Sequence, residues 1–294
     1  MGIRKQITTV KSIAMPIGEN WTVSRCRYEP EEGTGKRLCI ASGVHGDELM
    51  GQMIVYGVAR GIMEEPQNLC GTVDLYPMLN PLGMDIGERM VPASTRLDMN
   101  RAFPGAANGT PMESMCHHIV EDMRGADLVL DVHSSAKDKS ELYEVRINAR
   151  CAGKLVPTSA LCMTGTPAMV LVANERIRHP REGARIVIEG IFCKMKEMGI
   201  WKGEAKAVPL EDAPLIRTQQ DVCRVTCTKP GMFVPDYCLG KSLEKGERLG
   251  VIIDALRGEP VEEVLAPASG LVFSQRGYSA VYPGTLIARQ CRKE

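Results

Sequence analysis

Apolar residues recur along the chain with two periods. Short runs rich in branched and aromatic side chains, at residues 38–42, 72–78, 127–133, 143–147 and 168–172, predict buried strands. Between them lie helical spacings. Leu49, Met50, Met53, Ile54, Gly57 and Val58 share one side of a helix that begins near Asp47 and fades near Ile62. Thr110-Pro111-Met112-Glu113 carries a capping residue, a proline at the first helical position and a glutamate at the third, so a helix opens there and stops at Gly125. Ile186, Val187, Ile191, Phe192 and Met195 form an apolar stripe over 182–198. Residues 1–35 read as edge strands and turns, with β-favouring content at 7–10 and 21–26.

Strands alternating with helices predict an α/β fold: a mixed, largely parallel sheet with flanking helices. The pattern changes after Trp201. Residues 203–220 read as a connection, and short β runs separated by glycine and proline follow at 222–226, 249–253, 270–273 and 286–289. The expected organisation is an α/β domain over 1–205 and a small all-β domain over 206–294.

Composition narrows the function classes. Apolar residues make up 44% of the chain, enough for a packed core. Lysine plus arginine equals aspartate plus glutamate, 36 each, which gives no reason to expect nucleic acid or an anionic membrane as partner. The eleven cysteines are odd in number and include no C-x-x-C, which favours reduced thiols over a disulfide framework. The first residues lack the apolar core of a signal peptide, and the longest uncharged run, 155–174, holds two prolines and several hydroxyl residues. A cytoplasmic protein is expected.

The candidate chemistry sits where the first central strand ends. Gly43-Val44-His45-Gly46-Asp47-Glu48 holds a histidine and a glutamate three positions apart at a strand-to-helix junction. Such a pair can point at one metal ion, and a catalytic zinc takes three protein ligands of this type plus water. His133 ends a second buried strand, in Asp131-Val132-His133, and is the candidate third ligand, because open α/β sheets place their sites at strand ends. Residues 80–109 form a long irregular stretch, and loops of that length inside a domain are usually functional.

The motifs G-V-H-G-D-E at Gly43, N-P at Asn80, R-x-x-P at Arg89, D-x-N-R-x-F-P-G at Asp98 and D-x-H at Asp131 follow one another in that order. Together they resemble the succinylglutamate desuccinylase/aspartoacylase family, a branch of the zinc carboxypeptidase superfamily. Residues 240–250 and 266–273 are similar to the β domain that ends such chains, itself similar to a lipoyl-type sandwich. Lys241 and Lys245 do not sit in the Met-Lys hairpin of a lipoyl or biotin carrier.

The resemblance implies one zinc per chain on His45, Glu48 and His133, and hydrolysis of the amide of an N-acyl amino acid or similar small amide. It implies Arg89 at the scissile carbonyl, with Arg96 as competitor, and Asn100 and Arg101 on a substrate carboxylate. Asp98 would orient a zinc-bound histidine. The family places a proton-shuttling glutamate five residues beyond the proline of a G-x-P element. Here that element is Gly165-Thr166-Pro167 and the matching position is Val172. Glu175 is the first substitute and Glu189 the second. Two other readings stay open: a carboxypeptidase acting on short peptides, and a non-catalytic metal- or ligand-binding protein. The expected partner is a small molecule bearing a carboxylate, and a homo-oligomer is allowed.

Overall fold

The computed structural model describes residues 2–16, 18–32, 35–92, 97–135, 139–147, 157–163, 165–173, 180–206, 214–237 and 239–293. The chain folds into two compact units, residues 1–134 with 143–209, and residues 135–142 with 210–294.

The first unit is built on strands β1 (Ile3–Ala14), β2 (Asn20–Pro30), β3 (Arg37–Ser42), β4 (Thr72–Tyr76), β5 (Leu128–Ser134), β7 (Glu144–Ile147) and β8 (Ala168–Ala173), with β6 (Lys139–Glu141) passing to the second unit. Its helices are α1 (Met50–Glu64), α2 (Pro81–Asp85), α3 (Pro111–Met123), α4 (Pro157–Met163) and α5 (Pro180–Glu197). The sheet order is β1-β2-β4-β3-β5-β8-β7. The central four strands run parallel, and antiparallel pairs close both ends.

Alternation along each strand divides the core into two layers, because successive side chains leave opposite faces. On β3, Leu38 and Ile40 join Leu128, Leu130 and Val132 of β5 under Ile54 and Val58 of α1 and Phe192 and Met195 of α5. Cys39 and Ala41 face the other way, with Val129 and Tyr76, under Met115 and Ile119 of α3 and Leu161 of α4. Helix α3 opens as its sequence predicts. The Glu113 amide donates to Thr110 Oγ1 at 3.4 Å and the Thr110 amide to Glu113 Oε2 at 2.8 Å. Among the described residues no helix is long and apolar enough to cross a membrane.

The second unit is all β. Strands β10 (Gly231–Pro235), β12 (Arg248–Asp254), β13 (Glu259–Leu265) and β15 (Ala280–Val281) form one sheet. Strands β9 (Val222–Thr226), β11 (Ser242–Leu243), β14 (Gly270–Arg276) and β16 (Leu286–Arg292) form another, to which β6 adds by pairing with β14. Phe233, Leu249, Ile252, Val272 and Ile287 fill its core. Lys241 is held by Glu247 at 3.2 Å.

Candidate metal centre

Strand β3 ends at Ser42, and Gly43 turns the chain with φ +68°, a conformation that suits glycine. The sequence pattern places the helix start near Asp47, but α1 begins at Met50. Residues 44–48 instead form a turn in which the Glu48 amide donates to the His45 carbonyl at 3.3 Å. Both side chains fold inward and are buried. Gly46 allows this by close approach: a Cβ there would lie 2.1 Å from the Gly83 carbonyl carbon and 2.5 Å from the Glu88 oxygen.

Asn80 docks the loop on that side. Its amide donates to the Gly43 carbonyl at 2.7 Å, and its side chain caps α2 by accepting from the Gly83 amide at 2.9 Å. Its Nδ2 donates to the Arg89 carbonyl at 3.4 Å, so the N-P motif fixes the segment that carries Arg89.

His45, Glu48 and His133 offer one ligand atom each, all within 4.8 Å of one another. His45 Nδ1 lies 2.6 Å from Glu48 Oε1, and His133 Nδ1 lies 2.9 Å from Glu48 Oε2. Each ring is backed at its far nitrogen by a carboxylate, His45 Nε2 by Asp98 Oδ1 and His133 Nε2 by Asp131 Oδ2, both at 3.2 Å. A carboxylate behind the imidazole fixes the tautomer and turns the other nitrogen to a metal. Two imidazole nitrogens and a carboxylate oxygen, so backed, fit a zinc-type ion that keeps a fourth position open.

Glu48 also accepts from Arg89 Nη1 at 2.9 Å and from the Ser134 amide at 3.0 Å. Burial would raise its carboxyl, but His133 and His45 outweigh this and hold it well below the usual carboxylate range. His133 shows the converse. Burial alone would lower it, yet Asp131 and Glu48 push its imidazolium up to about 10. Asp98 is held low in the same way, burial being outweighed by His45 and Arg89.

The other sequence candidates are placed as follows. Asn100 is buried in the short helical turn Met99–Arg101, and its Oδ1 has no partner among the described residues. Arg101 is half exposed, its Nε 3.8 Å from Asp98 Oδ2. Glu189 lies on α5, where its carboxylate accepts from the Lys206 amide at 3.3 Å. Arg96 and Glu175 lie outside the described residues. Val172 is buried and pairs in register with His133 across the β5–β8 ladder. Asp131 was legible as the first residue of D-x-H, since positions two apart on a strand share a face. The part played by the Ser134 amide has no sequence signal.

Residues 34–176 match the family model described as the succinylglutamate desuccinylase/aspartoacylase catalytic domain. Comparison with curated proteins gives no match. Among solved structures, the chain is similar to a succinylglutamate desuccinylase/aspartoacylase from Rhodobacter sphaeroides, at 21% identity and TM-score 0.84, covering 100% of this chain and 95% of that one. It is similar to the product-bound ectoine utilization protein EutE from Ruegeria pomeroyi, at 20% identity and TM-score 0.84, covering 99% and 96%. A succinylglutamate desuccinylase from Silicibacter sp. TM1040 follows at 18% identity and TM-score 0.82, covering 98% and 94%. These likenesses establish the shared fold along both units, and the family match falls on the segment that carries all three candidate ligands. On residues 34–176 the chain thus matches the succinylglutamate desuccinylase/aspartoacylase catalytic-domain model, and the solved structures add the likeness of fold.

Proposed function

We propose that the protein is a zinc-dependent deacylase that hydrolyses the amide bond of an N-acyl amino acid or a similar small amide. The observation that carries this reading is the pair of imidazoles whose Nδ1 atoms converge on Glu48 while Asp98 and Asp131 back their Nε2 atoms. Nine cysteines among the described residues are free thiols, which supports a reducing, cytoplasmic setting.

His45, Glu48 and His133 would hold the ion. Bound there, zinc supplies a water acidified to a pKa of about 7 and a Lewis acid for the carbonyl. Arg89, held at 2.9 Å from Glu48, presents its remaining guanidinium nitrogens to the charge that develops on the acyl oxygen. Asn100 and Arg101 follow it and bind the substrate carboxylate, a match of donor geometry that a guanidinium fork provides. Proton transfer needs one more carboxylate, for which chain order names Glu175 as the first candidate and Glu189 as the second.

The test is metal content of the purified protein followed by a hydrolysis screen over N-acyl amino acids. The expected result is about one zinc per chain, as a single catalytic site requires, with amine release abolished by chelator. Protein without metal would overturn the reading. Zinc without hydrolysis would favour the non-catalytic alternative, for which Val172 beside His133 is the specific support.

The backing carboxylates make a second expectation. Asp98→Asn and Asp131→Asn each weaken zinc affinity by roughly 10–100-fold, the usual cost of losing a partner of this kind. Competition with a chromophoric chelator reads the change. Unaltered affinity in both would mean that the carboxylates do not orient the ligands.

A further inference from the structure

Amide hydrolysis needs a carboxylate that takes a proton from water and returns it to the leaving nitrogen. At the centre described, the carboxylates are already engaged. Glu48 receives both histidines, Arg89 and the Ser134 amide, while Asp98 and Asp131 each receive an imidazole. The neighbouring position on β8 is Val172, which has no proton to move.

The register carries the row one strand further. His133 on β5 pairs with Val172 on β8, and Val172 pairs with Glu144 on β7. Residues paired across a ladder project from the same face. That face is the one carrying Asp131 and His133, since Val129 and Ala168, paired lower in the same ladder, both belong to the core layer under α3 and α4. Glu144 therefore stands on the face of the metal centre, about 10 Å from His133 along the backbone by two strand spacings.

The state of the Glu144 carboxylate suits the task. Arg146, on the same face opposite Val170, donates to Glu144 Oε2 at 2.8 Å and fixes the group. Glu144 Oε1 is buried with no hydrogen-bond partner among the described residues. A buried carboxylate oxygen left without a partner is costly unless something else supplies one. Along strands β5, β8 and β7 the charged neighbours of Glu144 on this face are thus Asp131 and His133 from β5 and Arg146 from β7, while β8 sets Val170 and Val172 between them.

We propose that Glu144 is the proton-transfer residue of this chain, filling from β7 the role that Val172 cannot fill from β8. The proposal rests on the deacylase reading above. As the water oxygen bonds to the acyl carbon, one water proton passes to Glu144, directly or through one further water. As the C–N bond breaks, Glu144 returns that proton to the leaving nitrogen. The products are the carboxylic acid, which keeps the second water proton, and the free amine.

The test uses full-length Glu144→Gln, Glu175→Gln and the double variant Glu144→Gln/Val172→Glu. Metal content, kcat and KM are read together with the pH titration of the visible spectrum of the Co2+-loaded protein. Glu144→Gln is expected to keep its metal and KM and to lose about 10²–10⁴-fold in kcat. Its spectral titration is displaced, and adding Val172→Glu restores part of the turnover. Full turnover in Glu144→Gln, with loss in Glu175→Gln, overturns the proposal and leaves the deacylase reading intact. So does loss of turnover without a displaced titration, which would mark a structural role. If the wild type hydrolyses no N-acyl amino acid, the deacylase reading fails, and an undisplaced Co2+ titration overturns the placement of Glu144 separately.

Discussion

His133→Ala is expected to reduce zinc from about one per chain to near none, and turnover to background. With two protein ligands left, the ion has neither the donor set nor the rigid backing that holds it. In the proposed deacylase the metal would supply most of the activation by lowering the pKa of its water to about 7, and no residue on the chain would replace it. His45→Ala should have the same effect on metal. The two variants should differ in stability. Asp131 Oδ2 has His133 as its partner and Asp131 Oδ1 has none among the described residues, so His133→Ala leaves a buried carboxylate bare. Asp98 keeps the Asn100 amide when His45 is removed. Leaving a buried charge without its partner costs about 3–5 kcal/mol, so His133→Ala should unfold at lower temperature than His45→Ala. Chelator-treated wild type separates the loss of metal from the loss of the side chain. A His133→Ala protein that still binds a full equivalent would remove His133 from the site.

The parts of this centre that were readable in the sequence are those encoded locally. Gly43 and Gly46 bracket His45 because the turn needs one positive φ and one residue without a side chain, and both needs are met by residues close to the ligand. Asp131 and His133 are two apart on one strand, so their shared face follows from the pleat. The capping box at Thr110 is likewise a matter of four consecutive residues. What was not readable depends on partners distant in sequence. Helix α1 starts at Met50 because Glu48 is drawn into bonds with Arg89, His133 and the Ser134 amide, none of which its local pattern reveals. Residues 139–141 have no apolar alternation, yet they pair with β14 more than a hundred residues later. Glu144 could be assigned to a strand, but its place in the row with Val172 and His133 is a property of ladder register, which single-chain periodicity does not contain. Strand β1 runs from Ile3 to Ala14, well beyond the apolar stretch at 7–10, because pairing with β2 continues through its polar positions.

Asp74→Ala is expected to destabilise the first unit by about 3–5 kcal/mol at pH 7, the cost of removing one partner from a buried ionic cluster. Asp74 lies on β4 with its side chain fully buried. It takes two hydrogen bonds from Arg27, Nε to Oδ1 and Nη2 to Oδ2, both at 2.7 Å, and a third from Arg37 Nε at 2.7 Å. Arg25 Nε stands 3.6 Å away and reaches Asp122 of α3 through Nη1 at 2.8 Å. One carboxylate thus anchors arginines from β2 and β3, and removing it leaves three guanidinium groups facing one another. Burial would raise the Asp74 carboxyl, but the bonds and charges of Arg27, Arg37 and Arg25 outweigh it and hold the carboxyl below its usual value. A carboxyl depressed in the folded state stabilises the fold above its unfolded pKa of about 3.9, and that contribution is lost as pH falls through the lower folded value. Asp74→Asn keeps the shape and removes the charge. Its deficit relative to wild type should therefore be large at pH 7 and shrink steadily below about pH 4. Denaturant unfolding of wild type and Asp74→Asn at a series of pH values reads the difference. A deficit that does not change with pH would mean that the arginines hold Asp74 by shape alone, without the charge that its position in the cluster requires.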